Sequence, residues 1–222
     1  MLWRMQVATT GRRLHVGRWV VLALVAAFLA LLTYGLLSKG TDDRIDQALA
    51  SGRAVSAPGF SLEVLERGTL PGRLQRRLGA ELASGHLSLA ALHGVPVVLN
   101  LWASWCTPCR QEADRLQRGW QSFGPRGVLF LGLDIQDVRG DGENFIHEYG
   151  VTYPSVREPG REVANSYGAT GIPETYFVDR RGRVVAHVIG VVSDEQLRVG
   201  ARAAKRGVVA GRSTGGRSFD LR

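Results

Sequence analysis

Between Val95 and Phe123 the chain reads VPVVLNLWASWCTPCRQEADRLQRGWQSF, and this stretch restricts the fold more than any other. Val95 to Ala103 is almost entirely apolar and rich in β-branched residues, the pattern of a strand buried on both faces. After it, Ala113, Leu116, Trp120 and Phe123 recur at helical spacing, and Gly124 and Pro125 end the run. Where strand gives way to helix stand both cysteines of the 222-residue chain. Cys106 therefore stands where a helix begins, with Cys109 one turn inside it.

The rest of the chain alternates in the same way. FSLEVL (60–65) has strand-like alternation, LPGRLQRRLGAELASG has helical spacing through Leu74, Leu78 and Leu82, and HLSLAALHG follows as a short connector. GVLFLGLDI reads as a second buried strand, while GENFIHEYG and VANSYG read as helices. ETYFVDRRGRVVAHVIG has the form of a hairpin turning at Arg181 and Gly182, and SDEQLRVGARAAKRG that of a closing helix with Ser193 as N-cap. Strand, helix, strand, helix, hairpin and helix predict an α/β fold with a central mixed sheet flanked by helices.

The two ends differ from this middle. Trp19 to Leu37 carries no charge and as a helix would span roughly 28 Å, the thickness of a bilayer's hydrocarbon. Arg4, Arg12, Arg13 and Arg18 precede it, so residues 1–18 are expected to be a cytoplasmic basic N-terminus, 19–37 a transmembrane anchor, and the remainder extracytoplasmic. A cleaved signal peptide is the competing reading, but its apolar core usually runs to only about 7–15 residues. Residues 38–56 read as a polar linker, 57–206 as the folded domain, and the Gly- and Arg-rich 207–222 as a disordered basic tail. The formal charge of +8 is concentrated at the two ends and gives no ground for a nucleic-acid partner.

Two cysteines three positions apart close too small a loop to act as a useful staple. A zinc site would need two further ligands, and none of His86, His93, His147 or His187 is paired with the cysteines in sequence; no metal-ligand set is expected. Copper(I) carriage by two thiolates stays open as an alternative. At a helix start Cys106 would meet free backbone N–H groups, and the helix dipole in a partly dry site lowers a thiol pKa from ~8.5 towards ~7. Pro108 fits the first turn but offers no N–H of its own.

Trp105-Cys106-Thr107-Pro108-Cys109 after VVLNLWAS, with GIPETYFVD farther on and APGFSL, LSLAALHGVPVV and TYPSV around them, resembles the thioredoxin-like superfamily, and within it the membrane-tethered TlpA/ResA/CcmG branch. The resemblance covers residues 57–206. It implies a thioredoxin-like fold and an extracytoplasmic, periplasmic-side enzyme that exchanges dithiol and disulfide with protein substrates. No cofactor is implied beyond a redox-active Cys106–Cys109 disulfide. Reduction is the implied direction, with apocytochrome c among the substrates and a transmembrane thiol carrier as electron donor.

Its place at the helix start makes Cys106 the expected nucleophile, and Cys109, one turn in, the less exposed resolving thiol; the resemblance agrees. By the same resemblance Pro173 is a cis-proline presenting the backbone of Ile172 to a substrate strand, and Glu112 is an acid that exchanges protons with Cys109. Asn100 stands where ordinary thioredoxins carry a buried Asp. Trp105, Thr107 and Pro108 would line the substrate contact. The stretch between FSL and LSL is longer than the hairpin usual in the family, so an inserted helix is expected there.

Overall fold

The computed structural model describes residues 11–38, 43–217 and 219. It divides into two units, Met1–Gly40 and Thr41–Arg222. The first unit is helix α1 (Gly11–Ser38), within which Gly17–Tyr34 is long and apolar enough to cross a membrane. Residues 1–10 of the expected basic N-terminus lie outside the described residues.

In the second unit the chain runs α2 (Arg44–Ala50), β1 (Val55–Ser56), β2 (Ser61–Glu66), α3 (Gly72–Ala83), β3 (His86–Ser88), β4 (Val97–Trp102), α4 (Thr107–Phe123), β5 (Leu129–Ile135) and α5 (Arg139–Glu148). It continues through β6 (Ser155–Glu158), α6 (Glu162–Ser166), β7 (Glu174–Val178), β8 (Arg183–Ile189), α7 (Asp194–Arg206) and β9 (Gly211–Thr214). Among the described residues these strands form one mixed sheet in the order β1-β8-β7-β4-β5-β6-β2-β3, with β9 also on β8. The sheet is flanked by helices.

Every residue of β4 and of β5 is buried, which explains why both read as continuous apolar runs. β4 lies parallel to β5, with Trp102 opposite Asp134, and antiparallel to β7, with Leu101 opposite Glu174. Glu174 in turn faces Ile189 of β8. The end of β4 that leads to the cysteines therefore meets the start of β7 and the ends of β5 and β8 at one end of the sheet. α4 buries Cys109, Glu112, Ala113, Leu116, Trp120 and Phe123 along a single face, the i, i+3, i+4 stripe of an amphipathic helix. α7 is closed by a capping box between Ser193 and Gln196; Gly200 lets it approach so closely that a Cβ there would lie 2.5 Å from Phe177.

The stretch between β2 and β3 holds α3, whose Leu74, Leu78 and Leu82 are buried, each worth about 1.5–3 kcal/mol relative to exposure. HLSLAALHG is not merely a connector. Its first residues are β3, antiparallel to β2 with Leu62 opposite Leu87.

Both ends of the domain extend beyond 57–206. The expected linker contains α2, whose Ile45 and Leu49 are buried, and β1, which pairs Val55 with Val184. Residues at i and i+4 share a helix face, so a single apolar pair suffices to seat this short helix. The expected disordered tail contains β9, parallel to β8 from Ala186↔Gly211 to Ile189↔Thr214. Gly211 and Ser213 point inward, and small residues there let the strand lie close. Gln196 Nε2 ties it down, its two hydrogens shared among Ser213 Oγ (2.8 Å) and Thr214 O (2.8 Å) of the strand and Arg217 O (2.5 Å) just beyond it. Phe219 is buried edge-on to Phe177 at 6.3 Å.

Candidate functional site

Cys106 and Cys109 are joined by a disulfide. Cys106 is the N-cap of α4, with φ −82° and ψ 102°, and its Sγ accepts the backbone N–H of Cys109 at 3.1 Å. That bond uses one of the free donors of the first turn. Pro108 supplies none, so the donor comes from the residue after it.

The loop before the helix is held from two sides. Ser104 Oγ donates to Asp137 Oδ1 at 2.9 Å, and Arg110 returns from α4 to donate to Ser104 O through Nε (3.2 Å) and Nη2 (2.8 Å). The Trp105 indole donates to Gln136 O at 3.1 Å while its ring stays 56% exposed. Thr107 and Pro108 are exposed beside it. Trp105, Thr107 and Pro108 thus form an accessible rim around the disulfide.

One expectation fails. Cys106 is 3% exposed and Cys109 2%, so exposure does not distinguish the two sulfurs in the disulfide form. Cys106 Sγ is engaged on both counts, bonded to Cys109 Sγ and accepting the Cys109 N–H.

Glu112 lies three residues after Cys109 on the buried face of α4 and is 1% exposed. Asn100 Nδ2 donates to its Oε1 at 2.7 Å, and the Val192 N–H to its Oε2 at 2.7 Å. Asn100 also donates to Thr175 Oγ1 at 3.0 Å, so β4, β7 and the loop after β8 all fix this carboxyl. Burial pushes the pKa of Glu112 up to about 7, against the opposing pull of the bonds from Val192 and Asn100 and the charge of Arg115. A buried carboxyl that titrates near neutrality exchanges protons at little cost.

The Ile172–Pro173 peptide is cis. Pro173 is buried and its carbonyl accepts Gly190 N–H at 2.9 Å, while Ile172 is half-buried. Among the described residues no backbone hydrogen bond involves Ile172, which leaves its main chain free just before β7.

Two further groups escaped the sequence reading. Asp134, at the end of β5 opposite Trp102, is fully buried, with neither carboxyl oxygen hydrogen-bonded by a described residue. Burial, aided by the nearby charge of Asp137, pushes its pKa up to about 8. An Asp inside the apolar run LFLGLDI was the available signal. His187 is 2% exposed on β8, between Glu174 and Asp46; a His inside the buried apolar run VVAHV was the available signal.

Residues 56–187 match the AhpC/TSA family. The thiol-disulfide oxidoreductase ResA of Bacillus anthracis is 30% identical over 117 residues, which cover 53% of this chain and 68% of that one. ResA of Geobacillus thermodenitrificans is 28% identical over 181 residues, 82% of this chain and 90% of that one. Among solved structures, a DsbF homologue from Corynebacterium diphtheriae superposes with a TM-score of 0.55 and 26% identity, covering 68% of this chain and 87% of that one. With a disulfide at the start of a helix on a mixed sheet, and relatives of this kind over more than half of its length, the chain belongs to the AhpC/TSA family, has a thioredoxin-like fold, and is a thiol–disulfide oxidoreductase.

Proposed function

We propose that the enzyme is anchored in the membrane by Trp19–Leu37, faces the extracytoplasmic side, and reduces disulfides in protein substrates, apocytochrome c haem-binding cysteines among them. In its reduced form the Cys106 thiolate attacks one sulfur of the substrate disulfide. A Cys106–substrate bond forms and the other substrate sulfur leaves as thiolate. Cys109 then gives its proton to the Glu112 carboxylate and attacks Cys106 Sγ, releasing the second substrate thiolate and closing the Cys106–Cys109 disulfide. Two electrons pass to the substrate, and a transmembrane thiol carrier returns them. Trp105, Thr107, Pro108 and the main chain of Ile172, before Pro173, receive the extended substrate segment by strand-like pairing.

The observation that carries this reading is the burial of Cys109 at 2% exposure one helical turn from Glu112, whose pKa is about 7. A buried thiol needs an internal base, and this carboxyl is ready to take a proton at neutral pH. The uncharged run of α1 supports the anchor.

Three measurements test it. Cys106→Ser abolishes exchange with a protein disulfide, Cys109→Ser accumulates the mixed disulfide, and the redox potential against glutathione lies well below the roughly −120 mV of strong oxidants. Unchanged exchange in Cys106→Ser removes the assigned nucleophile, and a potential near that oxidising limit reverses the direction.

A further inference from the structure

Behind the cis-proline loop lies a cluster of ionisable groups that the exchange steps do not use. Glu174, the residue after Pro173, is 1% exposed. Its Oε1 accepts from Thr170 N (2.8 Å), Thr170 Oγ1 (3.0 Å) and Gly171 N (3.0 Å), the residues that lead into Ile172. Its Oε2 accepts from the Tyr176 hydroxyl at 2.8 Å and lies 2.9 Å from His187 Nε2. On the other side of the ring, His187 Nδ1 lies 2.7 Å from Asp46 Oδ1 in α2, 141 positions away in sequence. Arg212 Nε of β9 meets Asp46 Oδ2 at 3.0 Å, and the His187 ring stacks on Tyr176 at 4.0 Å.

Carboxylates only accept hydrogen bonds, so both ring nitrogens must carry hydrogen to satisfy both contacts. Burial depresses the pKa of His187, but the hydrogen bonds and charges of Asp46 and Glu174 outweigh it and hold the pKa above its ordinary value. Glu174 is the mirror case: burial pushes it up, yet its bonds from His187, Tyr176 and Thr170 hold it below the usual carboxylate range. The charged and titratable groups around His187 are Asp46 from α2, Glu174 and Tyr176 from β7, Tyr167 edge-on to Tyr176, and Arg212 through Asp46.

We propose that Asp46, His187 and Glu174 form a positioning relay that holds the Thr170–Pro173 loop in the shape that receives a substrate's extended segment, so that the stretch following the apolar helix takes part in substrate recognition. The inference rests on the reading of Ile172 as the pairing edge. Glu174 Oε1 holds three donors of that loop most strongly while the carboxylate stays charged, and the imidazolium held by Asp46, together with the Tyr176 hydroxyl and the Thr170 N–H, keeps it charged in a buried place. Among the described residues no hydrogen bond joins the three to either cysteine, so the relay acts on binding and leaves the sulfur chemistry alone.

The test uses the full chain in detergent micelles, reduced beforehand and freed of reductant, in stopped-flow single turnovers against two substrates, a disulfide-bridged peptide and dithiobis(nitrobenzoate), a small disulfide with no main chain to pair; KM and kcat here stand for the half-saturating concentration and the limiting rate. His187→Leu raises KM for the peptide roughly tenfold, as loss of a charge-assisted hydrogen bond implies, with kcat and small-disulfide exchange nearly unchanged. Asp46→Asn moves KM the same way, and Asp46→Glu restores it. In the wild type, KM for the peptide rises as pH climbs through the raised pKa of His187, and this dependence is lost in His187→Leu.

Equal losses on both substrates, or a fall in kcat alone, would overturn the relay. Should His187→Leu not fold, Asp46→Asn and the wild-type pH profile decide, and a flat profile overturns it. Failure of the underlying reading looks different: the wild type then shows no lower KM for the peptide than for the small disulfide.

Discussion

Asn100 Nδ2 and Glu112 Oε1 lie 2.7 Å apart in the interior, with the carboxyl's other oxygen on the Val192 N–H. Ordinary thioredoxins place a carboxylate on the strand; here the strand supplies an amide donor and the helix supplies the acid. The buried acid thereby lies on the helix that Cys106 caps, one turn beyond Cys109.

If Glu112 takes the proton of Cys109, its charged form is the active one, so the rate of mixed-disulfide resolution rises with pH through about 7. In Glu112→Gln that inflection disappears and the rate at pH 7.5 falls by roughly a hundredfold, the low end of general-base effects. Stopped-flow kinetics against pH measures both. An inflection that persists in the variant assigns it to another group.

Asn100→Ala removes one of the bonds that oppose burial at Glu112, so the same inflection moves upward, by up to about one pH unit for a lost bond of about 1–1.5 kcal/mol. A downward move contradicts the donor role of the amide.

Asp134 bears on stability. Its folded-state pKa of about 8 stands above the ordinary 3.8, so the folded state binds the extra proton between these values and stability falls as pH rises from about 4 to about 8. Asp134→Asn cannot ionise and loses that slope. At pH 8 it is more stable than the wild type by about 1–3 kcal/mol in urea titrations, and at pH 4 the two come together.

Gln196 closes the capping box of α7 and ties β9 through three acceptors. Gln196→Ala costs about 2–3 kcal/mol, seen as a lower midpoint in the same titrations. Amide exchange quickens at residues 211–214 ahead of the central strands.

These residues also mark how far the sequence could be read. The stripe Ala113, Leu116, Trp120, Phe123 announces α4, and the uninterrupted apolar runs announce β4 and β5, because burial on a face or on both faces leaves a period or its absence in hydropathy. Glu112 and Pro173 were found through motif context rather than patterning. β9 was missed because its inward residues, Gly211 and Ser213, are small, and a close approach of backbone leaves no apolar signature. α2 was missed because a single Ile45–Leu49 pair is too little to define a period. His187 entered the sequence reading only as a histidine without a cysteine partner; what sets it apart is Asp46, which only folding brings to it.

The outer side of β8 is shared by β1 on Arg183 and Val184 and by β9 from Ala186 to Ile189. Segments from before and after the rest of the domain thus close, between them, the ladder of a seven-residue strand that would otherwise offer its amides to a neighbouring molecule. The strands left outermost there are only two and four residues long. If the domain captures extended polypeptide at Ile172, closing this edge with β1 and β9 keeps such capture to one place.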